Sequence, residues 1–339
     1  MRAAVLHAFH RPLEIEEVER ADPGDGEVTI QVKACGMCLT DVHIMEGKIP
    51  SIRPPLIPGH EFAGVVVRKG SAAGPIEIGD RVTVNIDTNC GWCDSCLQGL
   101  TNRCENLIRI GFERDGGMAE YVNVPARNIE KIDNRVSFEE AAVIPDAVAT
   151  MYRALKSIGK VTVGTKVAIL GIGGLGMQGI KLGKLMGARV VGTSRNEKKL
   201  ARAKALGADH VINTGQESLL DATRKRIGPY DVVIDNIGTK ESIHEAVLAC
   251  RHGGRVVVVG YVDPTLHAPF YDVVIREKQI FGVRAATRKE FREIVGLVNS
   301  GQFAPDIGEI IPLTKVNEAI QELKKGEYLT RNVLQISFS

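Results

Sequence analysis

The run Lys166-Val-Ala-Ile-Leu170 enters Gly171-Ile-Gly173-Gly174-Leu175-Gly176 without a break, and apolar residues at helical spacing follow to Met186. No other feature restricts the fold of this chain as tightly. A buried-strand segment feeding a glycine turn and then a helix is the opening of a βαβ unit. In such a unit glycine backbone can approach a pyrophosphate, and the helix N-terminus can face it. The same rhythm continues downstream. Strands are expected over 189–193, 210–212, 231–234, 255–259 and 280–283, with helices over 196–206, 219–226 and 240–250 between them. Six strands in that alternation predict an α/β domain with a doubly wound parallel sheet.

The remainder of the chain reads differently. Up to about position 145, short Val/Ile-rich segments such as 28–32, 63–67 and 81–84 alternate with Gly, Pro and Asp turns, the pattern of a β-rich domain. After the sheet, 289–299 and 313–325 read as helices and 333–338 as a closing strand. A length of 339 residues fits two domains. Lys and Arg (43) nearly balance Asp and Glu (41) and no long run of one sign occurs, which argues against nucleic acid or an anionic membrane as partner. Arg2, His7, His10 and Arg11 break up the N-terminal stretch, leaving no apolar leader core, and no apolar run approaches the ~20 residues that span a bilayer. The expectation is a cytoplasmic protein acting on small molecules.

Four of the seven cysteines lie within one Gly/Asn/Asp-containing loop as Cys90-x2-Cys93-x2-Cys96-x7-Cys104. In a reducing compartment that clustering points to metal rather than disulfides. Four thiolates suit a closed tetrahedral zinc site with no position left for substrate, hence a structural one. Free thiols or an iron–sulfur cluster are the alternatives, because cysteine spacing does not define the metal.

A second group of donors stands nearer the N-terminus: Cys35-Gly-Met-Cys38-Leu39-Thr40-Asp41-Val-His43, then Gly59-His60-Glu61-Phe-Ala-Gly64. Singly, such residues are ordinary core or surface groups. Together with the four-cysteine loop and the glycine motif, they resemble the zinc-containing medium-chain dehydrogenase/reductase family, the alcohol dehydrogenases, over essentially the whole chain.

The resemblance implies a GroES-like β-rich catalytic domain, residues 1–146 and 287–339, around an inserted Rossmann domain, residues 147–286. The active site is expected in the cleft between the two domains, and the assembly is expected to be a homotetramer. It implies a catalytic zinc on Cys38, His60 and Asp146 with a fourth position open. In Pro145-Asp146-Ala147, Asp146 stands where many relatives have Cys and some NADP-linked bacterial members similarly have Asp. Glu61 is similar to a residue that can visit the zinc when substrate is absent, and Asp41 to the carboxylate behind the zinc-ligating histidine. Thr40 and His43 would carry the alcohol proton to solvent by way of the nicotinamide ribose. Thr150 would touch the nicotinamide, and Lys199 and Arg331 the ribose and phosphates. Leu39 departs from the basic or histidine residue many relatives carry near the pyrophosphate. Cys35 and Cys250 have no role in this scheme and read as buried, inert thiols.

The implied reaction is hydride transfer between an alcohol and an aldehyde or ketone, with two zinc ions per subunit and a nicotinamide cofactor. Where NAD enzymes carry Asp or Glu after the second strand, this chain has Ser194-Arg195. A hydroxyl and a guanidinium suit a 2′-phosphate, so NADP(H) is expected over NAD(H). Glu197, two residues on, keeps NAD open. By position Ile49 and Asn85 line the substrate pocket and leave room for a longer, branched or polar substrate. A polyol, sugar or amino-alcohol dehydrogenase on the same scaffold is one alternative. A zinc-independent quinone or enoyl reductase, which commonly lacks the cysteine and histidine set, is another. A catalytically silent cofactor-binding protein would not need metal, relay and cofactor residues together.

Overall fold

The computed structural model describes residues 1–263 and 265–337. It divides into two compact units, one of Thr150–Ala285 and one of Met1–Ala149 joined by the chain from Ala286 onward.

Six parallel strands form the sheet of the Thr150–Ala285 unit. Across the sheet they run His210–Asn213, Arg189–Ser194, Lys166–Leu170, Tyr230–Asp235, Cys250–Val258 and Gln279–Gly282. The first strand in the chain therefore lies in the middle, and the strand order reverses direction beside it. Val167, Ala168, Ile169 and Leu170 are all buried, as expected of a strand covered on both faces rather than one alternating between core and solvent. Helices Gly174–Leu185, Glu197–Ala205 and Lys240–Ala249 cover it. Asn196 caps the second by accepting from the backbone N–H groups of Lys198 and Lys199, and Thr239 caps the third through Ser242.

Three elements differ from the sequence reading. The helix expected over 240–250 stops at Ala249, and Cys250 already opens the strand Cys250–Val258, five residues before the expected start. Arg251-His252-Gly253-Gly254 has turn composition and bulges accordingly: the pairing passes from Tyr230 opposite Cys250 to Val232 opposite Arg255, so these four residues stand between two paired positions, and Gly253 takes φ +65°. The helix expected over 219–226 is an α-turn, Leu219–Ala222, followed by a π-helical stretch, Thr223–Ile227, that ends at Gly228 with φ +74°. A short helix, Phe270–Ile275, precedes the last strand where none was expected, and none of its side chains is buried.

The other unit is built on a seven-stranded sheet in the order Ile307–Pro312, Arg331–Gln335, Glu27–Gly36, Glu61–Lys69, Arg81–Val84 and Ile129–Lys131, with Tyr121–Pro125 also paired to Glu27–Gly36. Its core includes Val28, Ile30, Val32, Phe62, Val66, Val82 and Val124. The register sets the later geometry. Gly36 lies opposite Glu61 and Cys35 opposite Phe62, while Leu334 pairs with Cys35 from the other side. Three strand ends, leading to Cys38, from His60 and at Arg331, are thus brought together.

The β-rich segment also carries helices Leu39–Met45 and Phe138–Ala142, each begun by a reciprocal cap, Cys38 with Asp41 and Ser137 with Glu140. The helix expected over 313–325 begins at Val316 after a 3₁₀ turn and stops at Gly326, φ +72°. The closing strand runs Arg331–Gln335 rather than 333–338, and Phe338 lies outside the described residues. Among the described residues no helix is long and apolar enough to cross a membrane.

Candidate metal and cofactor sites

The four-cysteine loop is bracketed by a two-stranded ladder, Asp87–Thr88 against Ile108–Arg109. Within it the sulfurs of Cys90, Cys93, Cys96 and Cys104 all lie within 4.8 Å of one another. Cys90 Sγ is 3.9 Å from Cys96 Sγ, and Cys93 Sγ is 3.9 Å from Cys104 Sγ. Gly91 and Gly99, with φ of +91° and +78°, make the reversals that wrap the loop. Backbone N–H groups point at sulfur: Cys90 N donates to Cys104 Sγ at 3.2 Å and Cys93 N to Cys90 Sγ at 3.4 Å. Desolvation opposes ionisation of Cys90, but the N–H groups of Trp92 and Cys93 outweigh it and lower the thiol to about 6. Cys96 is pushed up to about 12 by desolvation and by its thiol neighbours. Four convergent sulfurs with amides aimed at them are the donor chemistry that a structural zinc requires.

The second site forms where the strand ends meet. One donor atom from each of Cys38, His60, Glu61 and Asp146 lies within 4.8 Å of the others. Cys38 is the N-cap of helix Leu39–Met45. Asp146 sits in a π-helical turn, Ile144–Val148, whose extra residue turns the carboxylate toward Cys38. Cys38 Sγ donates to Asp146 Oδ2 at 3.5 Å, and His60 Nε2 is 3.9 Å from the same oxygen. On the far side of the imidazole, His60 Nδ1 is 3.2 Å from Asp41 Oδ1, the two side chains being 2% and 1% exposed. Asp41 Oδ2 accepts from Cys38 N at 2.9 Å. One buried carboxylate therefore holds both the cysteine backbone and the histidine ring and leaves Nε2 turned toward Asp146. Sulfur, imidazole nitrogen and carboxylate oxygen converging in this way fit a three-ligand metal site.

Arg331 is 4% exposed at the same site. It donates to Met37 O at 2.9 Å and Asp146 Oδ2 at 3.1 Å, and stands 3.2 Å from Glu61 Oε1. Ala147 N also donates to Glu61 Oε1, whereas the buried Oε2 has no hydrogen-bond partner among the described residues. Burial would raise the Asp146 pKa, but His60 and Arg331 hold it well below the usual carboxylate range. This salt-bridge role for Arg331 was not visible in the sequence, where it lies far from both carboxylates. The expected relay residues lie on one helix. Thr40 Oγ1 accepts from Cys38 Sγ at 3.3 Å, and half-buried His43 follows at i+3. Burial first, and then the Lys48 ammonium, lower the His43 pKa below its ordinary value.

The remaining residues fall into two groups. Cys35 is buried with its thiol pushed up by burial, and Cys250 is raised to about 11 for the same reason, both consistent with unreactive thiols. Leu39 is exposed. Of the two expected pocket residues, Ile49 packs against the core of its own unit, and Asn85 is buried with its amide oxygen accepting from Asp87 N at 2.9 Å.

In the Thr150–Ala285 unit the glycine motif has the geometry its spacing requires. Gly171 takes φ +78° at the strand end, and Gly173 caps helix Gly174–Leu185 with open space where a Cβ would stand. A Cβ on Gly176 would come within 2.4 Å of Gly171 O, so only glycine lets the helix pack on the turn. Leu175 lies in the first turn of that helix. Ser194 ends the second strand and its Oγ accepts from Asn196 N at 3.1 Å, with Arg195 exposed beside it. Lys199 is partly buried, which lowers its pKa. Glu197 Oε1 accepts from Asn213 Nδ2 at 2.5 Å, so the carboxylate that kept NAD open is turned to the adjacent strand. Thr150 is buried.

Comparison with known proteins agrees with this arrangement. Residues 24–134 match the alcohol dehydrogenase GroES-like domain and residues 174–300 the zinc-binding dehydrogenase domain. An alcohol dehydrogenase of Geobacillus stearothermophilus is 37% identical over 99% of this chain and 100% of its own length. Two solved structures superpose closely. Acetophenone reductase from Geotrichum candidum in complex with NAD has a TM-score of 0.90 and 31% identity over 98% of this chain and 96% of its own. A putative zinc-binding dehydrogenase from Sinorhizobium meliloti 1021 bound to NADP has a TM-score of 0.92 and 29% identity over 98% of both chains. The chain belongs to the zinc-type medium-chain alcohol dehydrogenases, with a GroES-like domain and a Rossmann domain. It is an NAD(P)-dependent enzyme that interconverts alcohols with aldehydes or ketones.

Proposed function

We propose that Cys38, His60 and Asp146 hold a catalytic zinc and that Cys90, Cys93, Cys96 and Cys104 hold a structural one, two per subunit, in an enzyme that prefers NADP(H). The observation that carries this reading is the convergence of Cys38 Sγ, His60 Nε2 and Asp146 Oδ2, with Asp41 fixing both of the first two residues. A zinc ion there supplies Lewis-acid polarisation of the alcohol or carbonyl oxygen, and the nicotinamide supplies the hydride acceptor.

The chain's own groups do the rest. Thr40, whose hydroxyl adjoins Cys38, takes the alcohol proton. His43, one turn on, passes it to solvent, and its lowered pKa keeps the ring neutral and able to accept. Arg331 pairs with both Glu61 and Asp146, its single charge offsetting one carboxylate, while burial pushes the Glu61 carboxyl well above its ordinary range, so that the two groups can share a buried site. Gly171, Gly173, Gly174, Leu175 and Gly176 cradle the pyrophosphate at the helix N-terminus. Ser194 and Arg195 receive the 2′-phosphate, Lys199 the adenosine ribose and Thr150 the nicotinamide. The commitment of Glu197 to Asn213 supports NADP over NAD.

A homotetramer in the cytoplasm is the assembly proposed. Exposed Phe270, Tyr271, Val274 and Ile275 beside the edge strand Gln279–Gly282 supply apolar surface for it. Metal analysis of protein purified without chelator, paired with alcohol oxidation using NADP and NAD, tests the reading. Two zincs per subunit and faster NADP turnover are expected. One zinc or none, or a clear NAD preference, would overturn the corresponding part.

A further inference from the structure

We propose that Phe112, braced by Arg109, is a positioning residue for His60, setting the plane of the imidazole so that Nε2 stays turned toward Cys38 and Asp146. The inference rests on the reading of those three residues as metal ligands.

Asp41 restrains His60 at a single atom, Nδ1. A ring held at one point can still tilt about it, and tilting would carry Nε2 away from the other donors. Phe112 stands against the ring, with centroids 5.1 Å apart and planes inclined at 53°, a tilted aromatic pair. It is 6% exposed and in turn held, with the Arg109 guanidinium 4.1 Å above its ring. Arg109 is itself immobilised. Its backbone N donates to Glu113 Oε2 at 2.8 Å, its Nε reaches both oxygens of Glu113 at 3.1 Å, and its terminal nitrogen donates to Ser51 Oγ at 2.9 Å.

The same loop supports the histidine main chain. A Cβ on Gly111 would fall 2.7 Å from the Gly59 carbonyl and 2.9 Å from His60 N, so the backbones approach as closely as glycine allows. Gly117 N closes the contact by donating to Gly59 O at 2.7 Å. Residues 109–117 thus support both the peptide and the ring of His60. Because Arg109 ends the strand Ile108–Arg109, the support begins at the foot of the cysteine loop.

The test follows metal release from the two-zinc holoenzyme into a chromogenic chelator, resolving the catalytic and lobe phases, with thermal unfolding recorded alongside. For Phe112→Leu the catalytic phase is expected to quicken at least ~10-fold, the lower end of what losing a ligand's support costs in affinity. The lobe phase should be unchanged, and Phe112→Tyr, which keeps the ring face, should remain near wild type. Arg109→Gln, at the periphery, should quicken the same phase by a smaller factor and serves if Phe112→Leu does not accumulate as folded protein. An unaltered catalytic phase in both variants, or parallel loss of both metals with unfolding, would overturn the proposal and reduce Phe112 to core packing. Wild-type protein that releases only the lobe metal would instead overturn the site reading beneath it.

Discussion

Replacing Asp41 with Asn probes the catalytic site through hydrogen-bond accounting alone. Asp41 accepts through Oδ2 from Cys38 N at 2.9 Å, and its Oδ1 faces His60 Nδ1 at 3.2 Å as an ion-pair contact. Asparagine has nearly the same shape but only one acceptor. If its oxygen keeps the Cys38 amide, its NH₂ meets Nδ1 and favours the tautomer with the proton on Nε2, where a metal cannot bind. If the oxygen keeps His60, the NH₂ opposes a backbone donor with which it cannot bond. Either arrangement costs one of two buried contacts. Replacing such an outer partner typically lowers metal affinity by ~10 to 100-fold, which is about 1.4 to 2.8 kcal/mol at ~1.4 kcal/mol per tenfold. Competition with a chelator of known affinity measures the loss, and kcat/KM at saturating zinc separates empty sites from misaligned ones. Unchanged catalytic-metal affinity in Asp41→Asn would refute the reasoning. Equal weakening of the lobe metal would show the effect to be global.

Other outcomes follow from the same geometry. Cys93→Ser removes one of four lobe sulfurs, so zinc per subunit should fall from two to one and the unfolding midpoint should drop by roughly 2 to 4 °C for each kcal/mol lost. Retention of two zincs would exclude this ligand set. Arg195→Gln should raise KM for NADP by about 10-fold, the low end for a charge-assisted bond at an exposed position, with KM for NAD unchanged. Equal effects on both cofactors would remove the 2′-phosphate from the explanation. Lys48→Gln tests the relay. Lys48 lowers the His43 pKa and alcohol oxidation needs the neutral ring, so its removal should raise that pKa and move the acidic limb of the pH–rate profile to higher pH. No movement would argue against His43 as the proton exit.

What the sequence made legible was written within short stretches. Lys166–Leu170 running into Gly171 and then a helix encodes its own turn geometry, and four cysteines within one loop can reach one another without help from the rest of the fold. Arg331 could not be read this way. Its pairing with Glu61 and Asp146 depends on the closing strand lying beside Glu27–Gly36, a matter of sheet order that leaves no mark on local spacing. The π-helical turn at Asp146 was equally silent, because one additional residue in a helical turn does not change the apolar pattern. Cys250 reads as the end of a helix because the Arg-His-Gly-Gly that follows it has turn chemistry, and the structure uses that stretch as a bulge between Cys250, already paired to Tyr230, and Arg255. Nothing in the local sequence around Phe112 marks it as a neighbour of His60, a contact that only the fold creates.

The pairing of Gly36 with Glu61 has a consequence for how the chain folds. A slip of one residue between these two strands would displace His60 along its strand by about 3.3 Å and exchange the faces on which the side chains stand. Cys38 and His60 leave the two strands at adjacent ends, so they can grip the same ion only when the pairing is correct. An ion held by Cys38 and His60 would stabilise that register over a slipped one, so metal uptake would act as a proofreading step for the central sheet.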